Sequence, residues 1–223
     1  MPNLGFRGHK AQGNVFLGDI SVGKRILTCH KNEMIFSQGD PADSVFFVQG
    51  GRVKLTVLSF GGKEATLSLL GAGDFFGVCC LGEQLKRSNS ASTLEHSVLV
   101  RIEKGAMLRS LREHPDLFET FMSYLLKRTV NLQKDLSTQI LDPSEKRLAK
   151  VLLRLTELTT EEHDEECVRM PKLSHDILAT MVGTTRSRVT YFMNRFRNQG
   201  FIDYDKGITV KPTQLSAVLQ EDF

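Results

Sequence analysis

Between Thr184 and Arg195 the chain reads TTRSRVTYFMNR, a dense run of guanidinium and hydroxyl groups interleaved with apolar residues. A guanidinium is a planar fork of five donors that matches the O6/N7 edge of guanine or a pair of phosphate oxygens. Small hydroxyls permit close approach, and backbone N–H groups at a helix start favour anions. On a helical wheel at about 100° per residue, Val189, Phe192, Met193 and Phe196 fall in one sector and form the expected buried face. Opposite lie Ser187, Tyr191, Asn194 and Asn198, flanked by Arg186, Thr190 and Arg197 on one side and by Arg188 and Arg195 on the other. That outward face of the helix carries no acid, whereas a merely solvated surface mixes signs. The chemistry is that of binding a polyanion.

Other chemistries find little material. The histidines (His9, His30, His96, His114, His163, His175) share no ligand spacing, and Cys29, Cys79, Cys80 and Cys167 form no C-x-x-C pair, so no metal site is expected. No acid–base pair or nucleophile elbow stands out, so no catalytic residue is assigned and the chain is expected not to be an enzyme. The adjacent Cys79 and Cys80 would suit a redox switch, but in an apolar patch thiols behave as small hydrophobes.

The elements that must position the arginine face are legible on either side of it. Upstream, LSHDILATMVG reads as a short helix with Ser174 as N-cap, Ile177, Leu178 and Met181 as its apolar face and Gly183 as the turn. Helix, glycine turn, second helix is the helix-turn-helix pattern. Downstream, FIDYDKGITVKP reads as two short strands around Asp205-Lys206-Gly207, a wing. Before this module, DPSEKRLAKVLLRLTEL reads as a helix with Asp142 as cap, Pro143 in the first turn and a stripe of Leu148, Val151, Leu152 and Leu155.

With 223 residues, 40% hydrophobic content and a net charge of +3, two domains fit better than one. The mild net charge hides an uneven distribution. The segment Glu157 to Glu166 holds six acids and no base, whereas Pro171 to Lys211 holds seven Lys or Arg against Asp176, Asp203 and Asp205. The N-terminus MPNLGFRGHKAQGN has no apolar h-region and no apolar run is long enough to span a bilayer, so a cytoplasmic location and no membrane partner are expected.

From about Val15 to Glu103 the text is strand-like. In RVKLTVLSFGGKEATLSLL the alternations Val53, Leu55, Val57 and Ala65, Leu67, Leu69 flank Gly61-Gly62, a hairpin with one buried face. The runs EMIF, SVFFVQ and HSVLVRIE are separated by SQGDPADS, QGG and GAGD, and many short strands with Gly-rich turns argue for a sandwich or roll. A helix then runs from Pro115 to about Leu141, roughly 40 Å long. Its apolar positions, among them Phe118, Met122, Leu125, Leu126, Val130, Leu132, Leu136 and Ile140, exceed one narrow stripe. The excess reads as a homodimer seam.

Taken as a whole, the chain resembles the cyclic-AMP receptor protein and FNR (Crp/Fnr) family of bacterial transcription regulators from about Val15 to Val218. The resemblance is carried by IFSQGDPADSVFFVQGGRVKL, GAGDFFG, KRSNSA, the long helix, and LSHDILATMVGTTRSRVTYFMNRFRNQGFI. It implies an α+β architecture: an N-terminal double-stranded β-roll of the cyclic-nucleotide-binding type (15–114), a long dimerisation helix (115–141) and a C-terminal winged helix-turn-helix that binds DNA (142–223).

In nucleotide-responsive members of that family a phosphate cassette comes after the GDFFG strand: a glycine, a glutamate for the ribose hydroxyl, a short helix, then Arg-Ser. Here Gly77 matches the glycine and Arg87-Ser88 the phosphate-binding pair, while Val78, followed by Cys79, stands where the glutamate belongs. With the anion half kept and the sugar half lost, a cyclic nucleotide is not expected as cofactor. The site either stands idle or takes another small anionic effector. The implied function is sequence-specific regulation of transcription by a homodimer. Its DNA contacts would be Thr184, Thr185, Arg186, Ser187, Arg188, Thr190, Tyr191 and Arg195 on a pseudo-palindromic double-stranded site, with RNA polymerase a further partner if the protein activates. The competing expectation is an effector or protein-interaction module whose winged helix docks on protein.

Overall fold

Strand β3 (Ser44–Gly50) sets the geometry of the N-terminal half, because its first five residues are all buried and successive side chains point to opposite faces. Val45 and Phe47 face one core with Val100, Ile102, Met107, Leu117 and Phe121. Phe46 and Val48 face the other with Phe36, Val53, Leu55, Leu70, Phe76, Ala91 and Leu99. A strand buried on both sides needs a layer on each. The computed structural model, which describes residues 23–157, 167–170, 173–204 and 207–220, supplies both.

One four-stranded sheet has the order β1 (Lys24–Cys29), β8 (Ser97–Glu103), β3, β6 (Phe75–Phe76). The second has the order β2 (Met34–Phe36), β7 (Ser90–Thr93), β4 (Val53–Leu58), β5 (Glu64–Leu70). These eight antiparallel strands are the roll that the resemblance implies. Between the sheets Phe46 stacks on Phe76 at 5.0 Å, and full burial of each such ring stabilises by roughly 1.5–3 kcal/mol.

The outer face of the first sheet is covered by α1 (Lys104–Glu113) and by the first turns of α2 (Pro115–Leu141). Helix α1 has no counterpart among the sequence expectations. On α2, Leu117 and Phe121 are buried against the roll, and Tyr124 Oη accepts from Phe75 N at 2.9 Å. Arg128 Nη1 donates to Phe75 O at 2.7 Å beside it.

The hairpin β4–β5 corrects one expectation. Leu67 is exposed and Thr66 buried, because the register slips between Leu55↔Ser68 and Thr56↔Thr66. This is a β-bulge in which Leu67 is the extra residue, and a bulge reverses the in/out phase of the strand beyond it.

The chain divides into two compact units, with the boundary inside α2 between Val130 and Asn131. In the second unit the C-terminal turns of α2 are laced to α3 (Ser144–Glu157). Arg154 pairs with Asp135 at 2.5 Å and Lys150 with Asp142 at 2.6 Å. Lys150 also reaches Thr138 Oγ1 at 3.2 Å, and Arg147 donates to Gln139 O at 2.9 Å. Gln139 Nε2 in turn donates to Met181 O at 3.2 Å. Leu148, Leu152 and Leu155 are buried as the stripe required, and Val151 is half-buried.

Next come β9 (Val168–Arg169), α4 (His175–Val182), α5 (Arg186–Asn198), β10 (Ile202–Asp203), β11 (Thr209–Val210) and α6 (Pro212–Leu215). The wing pairs Ile202↔Val210 and Asp203↔Thr209, and β9 adds a third strand on β11. The acidic connector at 158–166, the wing tip at 205–206 and the start of the roll at 15–22 lie outside the described residues. Among the described residues no helix is long and apolar enough to cross a membrane.

Candidate nucleic-acid interface and effector site

Helix α4 begins where Ser174 Oγ accepts from Ile177 N at 3.2 Å and ends at Gly183, whose φ of 69° and ψ of 46° are left-handed. Glycine adopts that conformation without penalty, and it turns the chain into the next helix. The buried face of α4 is Leu178, Ala179 and Val182. The expected Ile177 and Met181 are half-buried, one residue around the wheel from the true face. Thr185 is the N-cap of α5, its Oγ1 accepting from Arg188 N at 3.3 Å. Val189, Phe192, Met193 and Phe196 are buried, as the wheel places them.

The face left outside holds most of the expected contact residues. Ser187 and Arg188 are exposed, as is Tyr191, whose ring leans edge-on against Phe192 at 5.6 Å. Thr184, half-buried, donates its N–H to Ala179 O at 3.0 Å, and Ser187 Oγ lies 3.1 Å from Thr185 Oγ1. Arg186 is 3.3 Å from Asp176 of α4, with side chains 70% and 61% exposed. The face of α5 itself is acid-free, but its neighbour is not. An ion pair so open to water is worth about 1 kcal/mol or less, and a guanine edge that offers two acceptors can take its place.

Two of the expected contact residues also have partners within the protein. Arg195 Nη1 donates to Glu145 Oε2 at 3.0 Å. Glu145, in the first turn of α3, is only 7% exposed, so Arg195 ties the recognition helix to α3. Thr190 Oγ1 donates to Arg186 O at 3.0 Å and lies 2.9 Å from His175 Nδ1. Sequence reasoning missed Glu145 and His175, because neither carries a local signal of contact with α5. Farther along, Arg197 lies over the Tyr204 ring of the wing at 6.0 Å. Burial raises the Tyr204 phenol, and Arg197 opposes the rise.

In the roll, Gly77 has φ 69° and precedes a 3-10 turn, Val78–Leu81. A Cβ there would stand 2.5 Å from Arg87 Nη1, so the residue is glycine for conformation and for room. Arg87 is 6% exposed. Its Nη1 donates to Gly77 O at 3.1 Å, and its Nη2 donates to Ser44 O at 2.8 Å and to Ser44 Oγ at 3.1 Å. The guanidinium lies over Phe36 at 4.4 Å, and its Nε is buried without a hydrogen-bond partner. Burial lowers its pKa, with Cys80 and Asp43 opposing.

Val78 packs against the roll core and Ser88 is exposed. An open cavity of about 920 Å³ is lined by Cys79, Gly82, Glu83, Gln84, Leu85 and Lys86. Arg87 is not among its lining residues. Both terminal nitrogens of the arginine donate to the protein, Val78 and not a carboxylate follows Gly77, and Glu83 is the acid among the residues that line the cavity. Cys79 and Cys80 are free thiols, the first exposed and the second buried. Burial pushes the Cys80 thiol up, against the lowering charges of Arg87 and Lys104.

A helix-turn-helix with a β-wing, carried in one chain with a nucleotide-binding type of roll, defines a DNA-binding transcription regulator. The cyclic nucleotide-binding domain family matches residues 26–114, and the Crp-like helix-turn-helix domain matches residues 146–217. The chain is 30% identical over 213 residues to the global nitrogen regulator of Nostoc sp. PCC 7120, covering 93% of this chain and 96% of that protein. It is 28% identical over 187 residues to the cyclic AMP receptor protein of Thermus thermophilus, covering 84% and 82% respectively. FixK2 from Bradyrhizobium japonicum shares the fold at a TM-score of 0.76 and 15% identity, over 87% of this chain and 96% of that one. The chain belongs to the Crp/Fnr family of transcription regulators. It is therefore a DNA-binding regulator and not an enzyme, and docking of the winged helix on protein is not favoured.

Proposed function

We propose that the protein acts in the cytoplasm as a homodimer that reads a pseudo-palindromic operator with one α5 in each of two successive major grooves. Half-sites about one helical turn apart, roughly 34 Å, follow from two-fold symmetry. The observation that carries this reading is the exposed, acid-free face of α5, with Arg186, Ser187, Arg188 and Tyr191 side by side. Thr184 and Thr185 at its start add hydroxyls for phosphate. Dimerisation through α2 is supported by an apolar row that the chain itself leaves open: Leu132, Leu136 and Ile140 are 55%, 60% and 71% exposed. RNA polymerase is a partner if the regulator activates.

Of the candidate effector residues Gly77, Val78, Cys79, Arg87 and Ser88, the first two and Arg87 serve the roll. Arg87 fastens strand β3 to the turn after Gly77, and Val78 fills the core. We take cyclic AMP not to be the effector.

Selection of bound DNA from a random pool, followed by affinity measurement at several salt concentrations, tests the function. A two-fold symmetric consensus and a steep fall of log affinity with log salt are expected, about 0.9 per phosphate neutralised. A salt-independent interaction without sequence preference would overturn it.

A further inference from the structure

Thr190 is placed on the groove side of α5, yet its hydroxyl is not free. A hydroxyl owns one proton and two lone pairs. Oγ1 lies 3.0 Å from Arg186 O and 2.9 Å from His175 Nδ1, so its one proton goes to the carbonyl or to the imidazole, and in both tautomers of His175 the hydroxyl is engaged within the protein. Held from two sides, the Thr190 side chain is fixed at χ1, and its proton is unavailable to O6, N7 or O4 of a base. The remaining group, the γ-methyl, is what it can offer to DNA. In the major groove the thymine C5-methyl is the apolar feature that distinguishes A·T from the other pairs, and a threonine methyl is a suitable contact for it.

We infer that Thr190 is a specificity-determining residue that selects thymine through its methyl group, and that His175 is the positioning residue that turns its hydroxyl away. This rests on the reading that α5 enters the major groove. His175 stands at the first position of α4, next to Asp176, whose carboxylate is engaged with Arg186. The imidazole is thus the group on that helix that is hydrogen-bonded to Thr190. The arrangement differs from hydroxyl readout in a testable way, because serine keeps the hydroxyl and loses the methyl, whereas valine does the reverse.

The experiment uses the full-length protein and the operator obtained by selection, with each thymine replaced in turn by deoxyuridine, which removes only the C5-methyl. For the natural protein one position per half-site should weaken binding about fourfold, the worth of one buried methyl. Thr190→Val should keep that sensitivity, and Thr190→Ser should bind thymine and uracil operators equally. His175→Ala should lose much of the discrimination while remaining folded and salt-dependent in binding, and His175→Gln, which restores a hydrogen-bonding group, should regain part of it. If Thr190→Ser remains as sensitive as the natural protein, or Thr190→Val loses the discrimination, the hydroxyl is the reader and the proposal fails. If no position is sensitive although an operator is selected, the proposal fails and the DNA reading stands. If no operator is selected at all, the DNA reading fails and takes the proposal with it.

Discussion

Arg195→Ala separates a structural tie from a phosphate contact. In the structure Arg195 Nη1 is bound to Glu145 Oε2 at 3.0 Å, with the glutamate side chain 9% and the arginine side chain 38% exposed. Removing one partner of a buried ion pair costs up to about 3–5 kcal/mol. With more than a third of the arginine open to water, screening reduces the figure to about 2 kcal/mol. For a domain of this size each kcal/mol moves the midpoint by about 4–8 °C, so a fall of roughly 8–16 °C is expected in the transition of the winged-helix unit. Glu145→Gln, which keeps a neutral acceptor, should cost about half as much. Thermal melting followed by circular dichroism gives the stability, and fluorescence anisotropy on operator DNA across salt concentrations gives the phosphate count. As a structural tie, Arg195 leaves the salt slope of the folded protein unchanged when removed. A destabilisation below about 0.5 kcal/mol together with a slope reduced by about 0.9 would refute the reasoning and return Arg195 to phosphate contact.

Other perturbations sort the remaining site residues. Arg186→Ala should cost about 1–3 kcal/mol on the preferred operator and relax one base position, whereas Arg188→Ala should weaken all sequences about equally; competition binding with operator variants distinguishes them. Replacing Leu132 and Leu136 by Glu would place charges in a dehydrated seam at several kcal/mol each, and sedimentation should then show monomer where the natural protein is a dimer at micromolar concentration. Leu125 is unsuitable for that test because it packs against the core of its own roll. Calorimetric titration of the natural protein with cyclic AMP should show no low-micromolar binding, and Val78→Glu alone should not create it while Arg87 holds Gly77 and Ser44.

The parts of the fold that repeat with one period are legible in the sequence. The buried face of α5 is read correctly because four apolar residues at helical spacing leave one solution, and the caps at Ser174 and Gly183 come from local chemistry. Strand phase fails at Leu67, since a bulge is decided by the partner strand and leaves no mark in the alternation. Helix α4 is rotated by one position because eight residues with apolar groups on several sides do not define a sector, and its packing partners chose Ala179 over Ile177. Sites built across sequence distance are the least legible. Glu145 and Arg195 are fifty residues apart, and Arg87 meets Ser44 across forty-three. An arginine looks equally available in sequence whether it faces a phosphate or a carbonyl.

The lacing between the end of α2 and α3 bears on how such regulators could be recombined. A chimera that joined another sensor domain at Asp142-Pro143, where the helix visibly breaks, would discard Asp135, Thr138 and Gln139 and leave Arg154, Lys150 and the Met181 carbonyl without the side chains that meet them here. The exchangeable cassette instead begins near Asn131, so that the last three turns of the long helix travel with the reading head. If α2 is the dimer seam, a sensor grafted at that point has to supply a helix in the same heptad phase, so that the exposed row of Leu132, Leu136 and Ile140 is continued. Modularity in this protein is cut through the middle of a helix, not at its end.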